Sequence, residues 1–261
     1  MGSGERQAEL WGPSARLWAE KLEEAGMQLS EWLIDRIYDG NGTHILDAGC
    51  GSGGALEIAA ARGAIVTGTD VANEMLDICK QRIPGGDFHV ADTESLPFAD
   101  HSFDGVMAQN SLQFTESPVR ALQELDRVAK PGAKIGIVCF GDTAHSDFAT
   151  VGAAVRKLFT TPPTFEGPFS LSPPSKLHKA LSDAGLNVLE TEDIEVSRTY
   201  SSFEDFWYSQ SGTGATRFSV RELGEDLVRR TMAASLIPFT NADKTITLTN
   251  RFHAVICRKS I

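Results

Sequence analysis

Residues 44–54 read HILDAGCGSGG, an apolar run that passes through an aspartate into a turn with glycines at 49, 51, 53 and 54. A short apolar run, a glycine turn and then the helix-forming GALEIAAARG (54–63) mark the opening of a βα unit. The turn satisfies GxGxxG, and Asp70 lies about where a ribose-binding acid belongs in a dinucleotide site. Asp47 fits that reading badly. A pyrophosphate needs backbone N–H groups and the positive end of a helix, and a carboxylate beside the turn repels it in a low-dielectric crevice. A ligand that carries an ammonium and a sulfonium but no phosphate gains from the same acid.

Working outward, residues 44–140 alternate strand-like and helix-like segments, which predicts a parallel sheet with crossover helices. The strand candidates are 44–48, 64–70, 87–92, 103–110 and 134–140, with helices over 54–63, 72–83 and 117–130. In the last helix Val119, Leu122, Leu125 and Val128 recur every three residues and share a face, and Pro131–Gly132 stop it. Asp47, Asp70 and Asp92 each end a strand, 23 and 22 residues apart, and Gln109–Asn110 end the fourth. Strands of a parallel sheet all point one way, so these residues line its carboxyl edge, where open α/β sheets bind ligands. One aspartate at a strand end is often a helix cap. Three in register are poorly explained by capping alone.

Around this core, residues 7–38 read as two amphipathic helices broken at Gly12–Pro13. Residues 141–172 contain the proline-rich TPPTFEGPFSLSPP and are expected to be largely loop. A helix over 174–185, a strand over 187–200, an aromatic and charged stretch over 202–212, a helix over 221–236 and a strand over 245–259 complete the chain. The 261 residues suit one domain, 41% of them hydrophobic and 23% charged. A net charge of −11 without any basic run argues against a nucleic-acid partner. No apolar run approaches the ~20 residues of a membrane span, and the polar start MGSGERQAELW is not a signal peptide. Cys50, Cys79, Cys139 and Cys257 are widely spaced with no CxxC, so we read them as reduced thiols of a cytoplasmic protein, without metal.

ILDAGCGSG (45–53), VTGTDVANEML (66–76), VADTESLPFADHSFDGVMAQNSLQF (90–114) and LQELDRVAKPGAKIGI (122–137) come in an order and spacing that resembles one family. It is the class I S-adenosylmethionine-dependent methyltransferases, in particular the small-molecule type 11 group with ubiquinone- and menaquinone-type members. The resemblance implies a Rossmann-like α/β fold: seven strands, mostly parallel, with a final antiparallel strand, helices on both faces and a helical cap. It implies a single domain over 1–261, with cap 7–38, cofactor core 44–140 and cap insertions 141–172 and 201–244. It also implies a small-molecule acceptor and a place in secondary metabolism.

Site roles follow from the resemblance in the same way. Asp47 would face the ammonium group, Asp70 the two ribose hydroxyls, and Asp92 the adenine amino group. Gly49, Cys50, Gly51 and Gly53 would lie against the methionine part, Val71 and Met75 would border the adenine, and Ala91 and Thr93 would flank it. Gln109 would hold the methionine end through its backbone or amide. Asn110 and Ser111 stand where relatives are more apolar, near the methyl-transfer locus. With Trp11, Trp18, Phe140 and Trp207 they make the acceptor-side expectation. Other aromatics of the cap segments (Phe148, Phe159, Phe165, Phe169, Phe203, Phe206 and Tyr208) read mostly as packing.

Methyl transfer needs a base only when the acceptor must lose a proton. Of the six histidines, His145, just after the fifth strand, is the base candidate, while His178 reads as helix surface. Two rival readings stay open: a non-methylating cyclase of the same fold, and an NAD(P)-dependent oxidoreductase. The second lacks a Tyr-x-x-x-Lys pair or comparable hydride-transfer constellation.

Overall fold

The computed structural model describes residues 3–161 and 167–259. Three helices open the chain, α1 (Ser3–Trp11), α2 (Ala15–Lys21) and α3 (Met27–Ile37). Tight 3₁₀ turns at Gly12–Ser14 and Glu23–Gly26 separate them. The sequence led us to expect two helices. The second break falls at Glu23–Gly26, where an amphipathic pattern runs on but the chain bends over the sheet edge.

The core then alternates β1 (His44–Ala48), α4 (Gly54–Ala61), β2 (Ile65–Asp70), α5 (Asn73–Arg82), β3 (Asp87–Val90), β4 (Phe103–Gln109), α6 (Pro118–Val128) and β5 (Ala129–Phe140). The cap region follows with α7 (Asp147–Arg156), α8 (Pro174–Asp183), β6 (Leu186–Tyr200), α9 (Phe203–Gln210), α10 (Gly214–Leu223), α11 (Glu225–Ser235) and β7 (Ile246–Lys259). Helix α7 lies in a segment read as largely loop, because Ala149, Gly152, Ala153 and Ala154 dilute its apolar period. The single helix expected over 221–236 is two, broken at Gly224, whose φ of 84° leaves the helical region.

The strands form one seven-stranded sheet in the order β3-β2-β1-β4-β5-β7-β6. β1 to β5 pair in parallel, while β7 runs antiparallel to both of its neighbours. Alternation along the central strands builds two cores, one per face. Leu46, Val106, Ala108, Ile135, Ile137 and Cys139 pack under α6 and α8. Ile45, Val66, Met107 and Val138 pack under α3, α4 and α5. Helix α6 illustrates the local logic. Pro118 opens it, the Ser117 hydroxyl accepts from Arg120 N at 3.3 Å, and Ala121, Leu122, Leu125 and Val128 are buried along one side. Each buried leucine contributes about 1.5–3 kcal/mol by leaving water. A third apolar cluster, from α7, α9, α11 and the distal ends of β6 and β7, holds the cap together. All four cysteines are free and buried, and Cys50 Sγ lies 3.9 Å from Cys79 Sγ. Among the described residues no helix is long and apolar enough to cross a membrane.

Candidate active site

A cavity of about 320 Å³ opens along the carboxyl edge of β1, β2 and β4 and continues beneath the cap. The register explains why three chain segments meet there: Asp47 pairs with Gly68 on one side and with Met107 on the other. Asp47, Gly49, Cys50, Gly51, Asp70, Val71, Met75, Ala91, Asp92, Thr93 and Gln109 all line the cavity. Gly53 does not. A Cβ on Gly53 would lie 2.9 Å from Cys79 Sγ, and one on Gly49 would overlap Ser111. Both glycines, with φ of 88° and 83°, are thus demanded by packing and backbone conformation; Gly49 faces the cavity as well, whereas Gly53 sits against Cys79.

Asp47 is 2% exposed and its Oδ1 has no hydrogen-bond partner. Burial, with the Asp70 charge adding to it, pushes its carboxyl up to about 8. Asp70 accepts from Gly51 N at 3.0 Å and Ala72 N at 2.9 Å, so it fastens the glycine loop to the start of α5. Burial raises it as well, against the lowering by those backbone donors. Asp92 lies two residues past the end of β3 and accepts from Glu94 N at 3.0 Å. A buried carboxyl without a partner, beside a second raised carboxyl, suits a cationic ligand.

Gln109 is more tied down than expected. Its amide donates to Gly26 O at 3.1 Å and accepts from Ser30 Oγ at 2.9 Å, and both partners line the cavity with it. Asn110 lines the cavity with φ of 53° and an unpartnered Oδ1, whereas Ser111 spends its hydroxyl on Ala48 O at 2.6 Å. Trp11 and Trp18 meet edge-to-face at 5.3 Å and bring α1 and α2 over the cavity, with Phe114 5.8 Å from Trp11. Phe140 stands between Phe169 and Phe252, at 4.7 and 4.6 Å.

Besides Gly53, two expected residues are absent from the cavity lining. Trp207 is buried in the cap cluster with Phe206, Val228 and Met232, because that side of α9 faces α11. His145 sits exposed in a 3₁₀ turn over Thr143–His145, outside the cavity lining. His178 is half-buried on α8 and has a partner: its Nε2 lies 2.9 Å from His253 Nε2, and His253 Nδ1 lies 2.6 Å from Asp193. Of the aromatics read as packing, Phe148 alone joins the lining among the described residues, and Phe165 lies outside those residues. The sequence reading missed Glu23, Gln113, Arg198, Tyr200, Gln210 and Phe252, all of which line the cavity. Glu23 Oε1 accepts from Ser52 Oγ at 2.5 Å and from Gly54 N at 3.0 Å, and its other oxygen pairs with Arg82. Alternation along β6 puts Val196, Arg198 and Tyr200 on one face, a signal present in the sequence but with nothing local to say what that face covers.

Comparison with known proteins agrees with this geometry. A family model described as "Methyltransferase domain" matches residues 46–137. An O-methyltransferase of Aspergillus nomiae is 31% identical over 182 residues, 67% of this chain and 78% of that protein. A demethylmenaquinone methyltransferase of Renibacterium salmoninarum is 36% identical over 119 residues, 46% of this chain and 50% of that protein. An O-methyltransferase of Aspergillus sclerotiorum is 32% identical over 182 residues, and there the chain spans 66% of its relative. In fold, the chain is similar to the cyclase SpnF, with a TM-score of 0.60 at 22% identity over 92% of this chain and 83% of that one. It is also similar to geranyl diphosphate C-methyltransferase from Streptomyces coelicolor, at 0.56 and 15% over 94% and 82%. The chain belongs to the class I S-adenosylmethionine-dependent methyltransferases of the type 11 group, and S-adenosylmethionine is its cofactor.

Proposed function

We propose that this protein methylates a small, largely apolar or aromatic metabolite by in-line displacement. The observation that carries the reading is the continuity of the cavity. Its sheet end presents Asp47, Asp70 and Asp92, and its cap end presents Trp11, Phe114, Phe140, Phe148 and Phe252. S-adenosylmethionine, when bound, supplies an electrophilic methyl on a sulfonium. The chain's own task is to hold two molecules in line and keep water out.

Asp47 takes the ammonium group, Asp70 the ribose hydroxyls and Asp92 the adenine amino group, with Val71, Met75, Ala91 and Thr93 around the ring. The Cys50–Gly51 backbone and that of Gln109 lie along the methionine part. Gly49 lies beside them on the cavity side, and Gly53 shapes the loop against Cys79. The single-domain division stands as part of the proposal: one domain over 1–261, with core 44–140 and cap segments 7–38, 141–172 and 201–244; Trp11 and Trp18 of the cap and Asn110 and Phe140 of the core face the acceptor. No histidine is among the described lining residues, so an acceptor that must lose a proton gives it to another side chain or to water. The microbial O-methyltransferase relatives favour secondary metabolism as the setting.

Incubation with labelled cofactor and candidate metabolites tests the proposal. A product heavier by one methyl, with release of S-adenosylhomocysteine, is the expected result. The fold likeness to a cyclase keeps one rival in view. Conversion of an acceptor without mass gain would establish that rival instead.

A further inference from the structure

Every lining residue that carries a formal negative charge sits at the sheet end or on the N-terminal turn: Glu23, Asp47, Asp70 and Asp92. At the far end stands the one basic side chain of the described lining, Arg198. The register locates it. Gln109 on β4 is level with Val138, Val138 with Ala254, and Ala254 with Glu192 on β6. Arg198 is six residues further along β6, about 20 Å in the strand direction at ~3.4 Å per residue. It therefore stands past the sheet edge that carries Gln109, on the part of the β6–β7 ribbon that projects beneath the cap.

Arg198 has no acid within ion-pair distance among the described residues. Its guanidinium lies over the Tyr200 ring, 4.7 Å from the centroid, and its Nη1 is shut off from solvent without a hydrogen-bond partner. Tyr200 is 4% exposed, and its hydroxyl receives Gln210 Nε2 at 3.3 Å, which leaves the phenolic proton free to donate. Gln210 is 3% exposed with Oε1 unpartnered; turned over, its Oε1 would accept the Tyr200 proton and Nε2 would be open, so in either orientation the pair offers the cavity one donor. A buried donor left without an acceptor is destabilising, the more so when it is charged. Three adjoining polar side chains lining one cavity, with donors left over between them, are satisfied only if something else completes them.

We propose that Arg198, Tyr200 and Gln210 form a subsite for an anionic oxygen group, a carboxylate or a phosphate, at the end of the acceptor remote from the methylated atom. The inference rests on the methyltransferase reading above and narrows its acceptor to an elongated molecule with an apolar body and one anionic end. A planar guanidinium beside a hydroxyl donor suits such a group, and the apolar surface of Val196 and Phe252 suits the body.

The test uses the full chain saturated with S-adenosylhomocysteine and titrates three matched ligand series by calorimetry: ω-phenylalkanoates of increasing length, their primary amides, and the corresponding alkyl phosphates. The acid or the phosphate should bind roughly tenfold or more tightly than the amide of equal length, and the better of the two identifies the group. Arg198→Gln should erase the preference and Arg198→Lys should keep part of it, with S-adenosylhomocysteine affinity unchanged in both. Equal binding of acid, phosphate and amide, no binding by any of them, or a preference that survives Arg198→Gln overturns the inference. Failure of the wild-type protein to bind S-adenosylhomocysteine would instead sink the methyltransferase reading, so the two failures are distinct.

Discussion

Strands β1 to β4 and the β6–β7 ribbon belong to one sheet, yet they bring side chains to the ligand by different means. In the first region each strand is short, stops at the sheet edge and delivers the residue at or just past its end: Asp47, Asp70, Asp92 and Gln109. The backbone ladder places these groups, and substitutions elsewhere scarcely move them. In the second region the strands run 15 and 14 residues, overshoot the edge and deliver side chains from one face of a projecting ribbon. There the placement depends on α7, α9 and α11 packing against the ribbon's distal end. The edge of the sheet suits a fixed cofactor, while the ribbon and its cap can be repacked to suit an acceptor.

The contrast breaks most sharply at Asp70. Replacement by Ala removes the acceptor of Gly51 N and Ala72 N, so calorimetry should register a loss of S-adenosylhomocysteine affinity of about 100-fold or more. The thermal transition should survive, with about 1–2 kcal/mol less stability for those two backbone bonds. Trp207→Ala asks the opposite question. The ring is buried in the cap cluster, and its loss should cost about 3–5 kcal/mol of unfolding free energy with cofactor affinity intact. A fall in cofactor affinity together with stability would show that cap and edge are one cooperative unit.

Asp47 allows a finer test through pH. Its carboxyl is raised to about 8, so the ligand-free fold favours the protonated form. The stability this group contributes is complete below the usual carboxylate range and is lost as pH rises through about 8. A cationic ligand needs the ionised form, so S-adenosylmethionine affinity should climb with pH up to about 8, by at most about tenfold per unit. Asp47→Asn should flatten that climb and be the more stable protein at high pH without ligand. The smallest effect is expected at His145→Ala. The residue is exposed and outside the cavity, so turnover should stay within about twofold of wild type across the pH range. A clear loss of turnover would return it to the mechanism.

The same contrast sets what could be read from the sequence. Glycines 49, 51 and 53, the acids at strand ends and the stop at Pro131–Gly132 are local signals, and they yielded the alternating core and most of the residues that line the cavity at the sheet edge. Trp207 misled because residue type does not say which neighbour a helix face meets. Arg198 and Tyr200 share the alternation of β6, but that strand is polar over most of its length because it is a sheet edge. Nothing local marks where its exposed face ends and the cavity begins. Gln109 was placed correctly at the edge, yet its amide is held by Ser30 and Gly26 from α3 and the preceding turn, a contact 79 residues away in the chain.

Glu23 gives the glycine loop a selectivity of its own. The N-terminus of α4 is the place where a nucleotide-binding protein of similar topology seats a phosphate. Here the Glu23 carboxylate already takes the Gly54 N–H and the Ser52 hydroxyl and is held by Arg82. The chain thus supplies an internal competitor for that position. A phosphate-bearing cofactor would have to evict a carboxylate from its partners before gaining the helix end, whereas a zwitterionic, sulfonium-bearing one leaves it in place.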